Sequence, residues 1–164
     1  MITDLFDTLY NDLPIAVAYS NINTGIFIKV NNSFCEMTGY NYKEIIGSPS
    51  VKFNMWKYPE ERNVIINELK ENGKISNKEF SLIHKSGQIR QGSFSARRVE
   101  GDKFLSFAID ITETRASKER YKELVEFMPM AMAVYDINTK SILFRNQTAI
   151  KLMEENGESV IGKN

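Results

Sequence analysis

The chain has one histidine and one cysteine, the two side chains best suited to nucleophilic or proton-transfer work. Acyl transfer or general acid–base catalysis needs a histidine set against a serine, a cysteine or a pair of carboxylates. His84 stands at the end of a strand candidate, beside the hairpin turn "KSGQ". It reads as an exposed or satisfied surface group. Cys35 lies within the apolar helical stretch "NNSFCEM" and reads as a small packing residue. The carboxylates of 59–72 and 154–158 fit solvated helix faces. No glycine-rich phosphate loop of the P-loop or dinucleotide type occurs. A single cysteine excludes an intrachain disulfide and a cysteine-rich metal site. No catalytic and no metal-ligating residue is assigned on these grounds.

Composition bounds the remaining classes. The chain has 164 residues, 42% hydrophobic and 26% charged, a globular mixture sized for one domain and part of another. Lys+Arg and Asp+Glu both total 21, spread evenly, so no basic face for nucleic acid is expected. The longest apolar run, "FMPMAMAVY", is far below the roughly 18 residues of a membrane span. The start "MITDLFDTLY" lacks the basic region of a signal peptide. A cytoplasmic location is the expectation.

The elements that must position any site follow from local pattern. Leu5, Phe6, Leu9 and Tyr10 recur at helical spacing, predicting a short amphipathic helix within 1–12 that Pro14 ends. "IAVAYSN" and "IFIKVN" read as strands around the turn "NINTG". Asn31 or Asn32 can cap a short helix stopped at Gly39, and "KEIIG" adds one turn stopped at Gly47. The clearest helix is 59–72, with Pro59 in the first turn, Glu60 and Glu61 opposing the dipole, and Ile65, Ile66 and Leu69 as the buried stripe. Three long strands follow: "NKEFSLIHK", "QIRQGSFSARRV" and "KFLSFAIDIT". In the last, Leu105, Phe107, Ile109 and Ile111 share one face, while Phe104, Ser106, Ala108 and Asp110 share the other, less apolar one. Thr112 is then a helix N-cap candidate, with Glu113 in the first turn. The run 113–128 suits either a coiled-coil seam or a solvated amphipathic helix.

The sequence also repeats itself. "PIAVAYSNINTGIFIKVNNSFCEMTGYNYKEIIG" aligns without a gap on "PMAMAVYDINTKSILFRNQTAIKLMEENGESVIG", placing Pro14 on Pro129, Asn31 on Asn146 and Gly47 on Gly162. Ten of the 34 positions are identical. The second copy stops before a long helix or three long strands, so it lacks most of a sheet. It is expected to need cover from the first domain or from another chain.

The ordered set "VNNSFCEMTGYNYKEIIG", "PEERNVIINELKENG", "EFSLIHKSGQIR" and "FAIDITE" resembles a PAS domain of prokaryotic signalling proteins. The expected division is an N-terminal helix (1–12), a PAS domain (13–112), a linker helix (113–128) and the start of a second PAS domain (129–164). The resemblance implies an α+β fold, a five-stranded antiparallel sheet with flanking helices. It implies a sensory module of a multidomain, two-component-type protein, relaying a signal through the helix after the sheet. Any output enzyme, such as a histidine kinase or cyclic-nucleotide enzyme, would lie outside this chain.

The family geometry points to a small-molecule pocket formed by Phe34, Met37, Tyr40, Met55, Trp56, Ile65, Phe80, Phe94 and Phe107. The alternative is that these residues simply fill the core. Asp110, Ile111 and Thr112 match the family's strand-to-linker junction, and Asn31 its common structural asparagine. A haem-binding relative would carry a histidine in 59–72, and a flavin photosensor the run Asn-Cys-Arg-Phe. Neither is present, so haem and covalent flavin are not expected. Partners implied are a second copy, bound through the N-terminal and linker helices, and a small ligand, with no nucleic acid and no membrane contact within this chain; the alternative function is a ligand-free dimerisation or interaction domain.

Overall fold

A computed structural model describes residues 2–155, which fall into two units that divide after residue 113. In the first, helix α1 (Ile2–Asp12) leads into strands β1 (Ala16–Asn21) and β2 (Phe27–Val30). Two short helices, α2 (Asn32–Thr38) and α3 (Tyr42–Ile45), are followed by a 3-10 turn (Ser50–Phe53). The long helix α4 (Pro59–Asn72) then precedes β3 (Lys74–Ile83), β4 (Ile89–Arg98) and β5 (Lys103–Asp110). The five strands form one antiparallel sheet in the order β2-β1-β5-β4-β3. This is the α+β architecture expected from the sequence.

Local chemistry accounts for the element ends. Asn31 caps α2, accepting from the Phe34 N–H, and Gly39 closes it in the left-handed conformation (φ 79°). Asn41 and Glu44 form a reciprocal capping box on α3. Pro59 opens α4 and Gly73 closes it, again left-handed. Gly47 does more than stop a helix. Ile46 is the cap residue of α3, and Gly47 turns the chain back so that its N–H meets the Phe27 carbonyl.

The core lies between the inner face of the sheet and the helices. One cluster gathers Ala16, Ala18, Phe27, Val30, Met37, Ile45, Met55, Phe80 and Leu82. A second joins Ile65 and Leu69 of α4 to Ile22, Ile75, Ala96 and Phe104. Segment 55–57 runs beside β3: Ile83 N–H donates to the Met55 carbonyl and Lys57 N–H to the Ser81 carbonyl. That brings Trp56 over the sheet, 4.9 Å from Phe80 and 6.2 Å from Phe94 between ring centroids.

Two sequence expectations are corrected. Phe107, on the apolar row of β5, is expected to face the pocket. Instead Phe104, Ser106 and Ala108 face the core, while Leu105, Phe107 and Ile109 occupy the opposite face, with Ile109 51% exposed. The inner face takes small residues from the central strand because Trp56, Phe80 and Phe94 already supply the bulk. In α1, Leu5 and Leu9 of the expected stripe are 59% and 55% exposed, while Tyr10 is half-buried. The side chain of Phe6 lies outside the described residues.

In the second unit, β6 (Ala133–Tyr135) pairs antiparallel with β7 (Ile142–Arg145), and α6 (Gln147–Glu155) follows. Helix α5 (Thr112–Glu126) leads into it. The repeat extends to single hydrogen bonds. Asn31 Oδ1 accepts from Val17 and Phe34 N–H, and its Nδ2 donates to the Tyr10 and Ile15 carbonyls. Asn146 Oδ1 accepts from Met132 and Ala149 N–H, and its Nδ2 donates to the Val125 and Met130 carbonyls. Each partner sits at the matching repeat position. The end of α5 therefore stands to the second unit as the end of α1 stands to the first. Gly162, the partner of Gly47 in the repeat, lies outside the described residues.

Candidate functional site

The inner face of the first unit encloses a cavity of about 80 Å³. Of the nine pocket candidates, Phe34, Met37, Met55, Trp56, Ile65, Phe80 and Phe94 line it. Tyr40 and Phe107 do not. Tyr40 packs on Phe53 with ring centroids 4.9 Å apart and donates its hydroxyl to the Phe53 carbonyl at 3.1 Å. Phe107 is on the outer sheet face, in register with Val17 and Ser95. Pattern alone separates the two faces of a strand but does not say which faces inward, hence the misplacement of Phe107.

Small residues make the space. Ala16, Ser106 and Ala108 form the floor. Gly92 lies opposite Phe80 in the β3–β4 register, and a Cβ there would be 2.3 Å from the Phe80 ring and 3.0 Å from the Met37 methyl. A water needs roughly 10–15 Å³ by this measure, so the cavity admits a small guest, whereas sites for drug-sized ligands run to about 300–1,000 Å³. The walls are almost wholly apolar, which suits an aromatic or branched aliphatic group.

One cation lines the cavity, and the sequence reading did not single it out. Arg62, in the first turns of α4, donates Nε–H to Ser50 Oγ at 3.3 Å. Burial pushes its pKa below the ordinary arginine value. A signal was available: a cation this close to a helix N-terminus opposes the dipole, and so calls for an explanation.

The junction is the second candidate feature. Ala108 lines the cavity, and Asp110 ends the same strand two residues later. Asp110 Oδ1 accepts from the Thr112 N–H at 2.9 Å and from the Thr112 hydroxyl. Thr112 Oγ1 in turn accepts from the Gln91 N–H at 2.9 Å, and Ile111 N–H donates to the Gln91 carbonyl at 2.8 Å. The expected capping role thus passes from Thr112 to Asp110. The oxygen meeting the first helical N–H belongs to Asp110, while the Thr112 hydroxyl reaches back to β4. Arg90 joins the network: its Nη1 is 3.6 Å from Asp110 Oδ2 and donates to the Glu36 carbonyl at 3.1 Å. Glu36 adjoins Met37, so the cavity borders the junction through both β5 and α2.

The remaining singled-out residues are structural. Asn31 is 1% exposed and its four hydrogen bonds are all to backbone. His84 Nδ1 accepts from the Ser86 N–H at 3.1 Å, and its ring lies against Gly39, where a Cβ would be 2.4 Å from Nε2. Desolvation and the nearby Arg90 charge hold its pKa below the usual histidine value. Cys35 packs partly buried against the first core cluster, and burial pushes its thiol up, away from the reactive thiolate. Among the described residues no group of three or more His, Cys, Asp or Glu side chains could hold a metal ion. Among them, too, no helix is long and apolar enough to cross a membrane.

This architecture defines the class: residues 14–113 match the PAS domain family, and the chain belongs to it. Residues 119–163 match a second PAS domain profile, as the internal repeat requires. Among solved structures, the fold is similar to an RNA-binding light-oxygen-voltage receptor (TM-score 0.63, 16% identity), over 75% of this chain and 37% of that one. It is similar to the PAS domain of a Colwellia psychrerythraea protein (TM-score 0.58, 22% identity), over 69% of this chain and 99% of that one. A third likeness is to the light-oxygen-voltage domain of a blue-light-activated histidine kinase from Erythrobacter litoralis (TM-score 0.53, 17% identity), over 61% of this chain and 98% of that one. At these identities the likeness shows the fold. A comparison with curated proteins finds no match. The PAS family is one of sensory rather than catalytic modules, and the first unit is a PAS module of that kind.

Proposed function

We propose that the first unit binds a small, largely apolar ligand in its cavity and passes the bound state to α5 through Asp110, Ile111 and Thr112. The observation carrying this reading is that one strand serves both purposes. Phe104, Ser106 and Ala108 wall the cavity, and Asp110 on the same face holds the start of the helix. A ligand can bias the junction only by binding two sheet states unequally. We place the module in the cytoplasm, as part of a multidomain signalling protein whose output activity lies outside residues 1–164.

A second reading is favoured by a separate observation. Leu5 and Leu9, four residues apart on α1, are both more than half exposed, and Ile109 leaves an apolar side chain on the outer sheet face. In this reading the unit is a ligand-free dimerisation module, paired through the N-terminal and linker helices. Native mass spectrometry of the gently purified chain separates the two. The ligand reading expects a small molecule retained by the protein and released on denaturation. A bare protein that forms dimers and takes up no small aromatic or aliphatic compound would replace it with the second reading.

A further inference from the structure

Arg62 combines burial, a place in the cavity wall and the lack of a carboxylate partner among the described residues. Within the first unit, Lys29, Lys78, Lys85, Arg90 and Arg98 each have a carboxylate within 4 Å. Among the described residues, Arg62 has none, although it is half-buried and borders an apolar cavity. Its Nε is held by Ser50, which fixes the plane of the guanidinium. Gly25 adopts the left-handed conformation (φ 70°), and a Cβ at this position would be 3.1 Å from Arg62 Nη2 and 3.3 Å from Ser50 Oγ. The guanidinium is thus seated against bare backbone, and Gly25, Ser50 and Arg62 adjoin one another in the cavity lining. An arginine remains charged even when desolvated, so the missing counter-charge is a standing cost at this site.

Resting on the ligand-binding reading above, we propose that the ligand is a small carboxylic acid carrying one apolar ring or a short branched chain, its carboxylate paired with the Arg62 guanidinium beside Ser50. The planar fork of a guanidinium matches a carboxylate through two parallel hydrogen bonds. The two terminal nitrogens remain for this because Ser50 uses Nε. One negative charge balances one positive charge, whereas a phosphate would bring a second into apolar surroundings. No Asp or Glu lines the cavity, so no counter-charge there balances the ammonium group of an amine or an amino acid.

The test compares phenylacetate, its neutral isostere phenylacetamide and the cation phenethylamine, by calorimetry at neutral pH. Wild type should bind phenylacetate at least about tenfold tighter than the amide, the size of a charge-assisted hydrogen bond. Arg62→Gln should erase that preference. In wild type, the Arg62 Nε–H resonance should shift with phenylacetate and not with phenylacetamide, a readout independent of any variant's folding. Equal binding of acid and amide would overturn the carboxylate anchor and leave the apolar cavity reading intact. So would a preference for phenethylamine, or a preference for the acid that survives Arg62→Gln. Failure of all three probes to bind would overturn both the anchor and the ligand reading.

Discussion

Asn31→Ala should lower the stability of the first unit by about 3 kcal/mol, the largest effect expected of any single truncation outside the apolar core. Asn31 is fully enclosed and makes four hydrogen bonds, joining the end of α1, the residue before β1, β1 itself and the first turn of α2. Alanine leaves the Val17 and Phe34 N–H groups and the Tyr10 and Ile15 carbonyls without this partner, the first buried and the others part-buried. Each orphaned buried group costs about 1–3 kcal/mol, partly relieved by relaxation. Asn31→Asp is no rescue, because it turns the Nδ2 donor into an oxygen facing two carbonyls. Trp56 is the chain's single tryptophan and lies in the first unit, so its fluorescence follows this unfolding in urea. A loss below about 1 kcal/mol would show that the asparagine is incidental to the fold. The matching Asn146→Ala change should act on the second unit and leave the Trp56 transition where it is.

Gly92→Ala is the second large effect, and it tests why the cavity exists. The added methyl would stand 2.3 Å from Cε1 and 2.6 Å from Cζ of Phe80, too close for any side chain. The ring cannot simply turn aside, because Trp56 and Phe94 pack on it with centroids 4.9 Å and 6.0 Å away. It must move into the open space or strain the sheet. Overpacking of this kind costs about 1–3 kcal/mol. The variant should also lose uptake of any aromatic guest. Adding Phe80→Leu should recover stability by removing the clashing ring edge. A Gly92→Ala protein that is as stable as wild type and still binds a guest would refute the close approach.

Much of this fold is written in local sequence. The ends of α2 and α4 follow from Asn31, Gly39, Pro59 and Gly73, because capping depends on one residue and its nearest backbone. The second unit was legible from the repeat, and the matched networks of Asn31 and Asn146 show why those residue types recur. The facing of β5 was not legible. Alternation fixes which residues travel together, but the inner row is decided by Trp56, Phe80 and Phe94, which come from elsewhere in the chain. For the same reason Phe107 was expected in the cavity and Gly92 went unnoticed. Arg62 also went unnoticed, since Gly25 and Ser50 reach it only through the tertiary fold. The junction was half legible: the Asp-Ile-Thr run marked the place, while the exchange of capping roles between Asp110 and Thr112 depends on Gln91 of β4.

The central claim is that occupancy of the cavity is felt at the start of α5. Amide hydrogen exchange at Ile111, Thr112 and Gln91, measured with and without a saturating cavity ligand such as phenylacetate, tests it most directly. A ligand that distinguishes two states of β5 should change exchange at these three amides. The Asp110→Ala, Thr112→Ala double variant should remain folded and still bind the ligand, yet lose that response. A ligand seated in the cavity of wild type with exchange unchanged at all three amides would contradict the account.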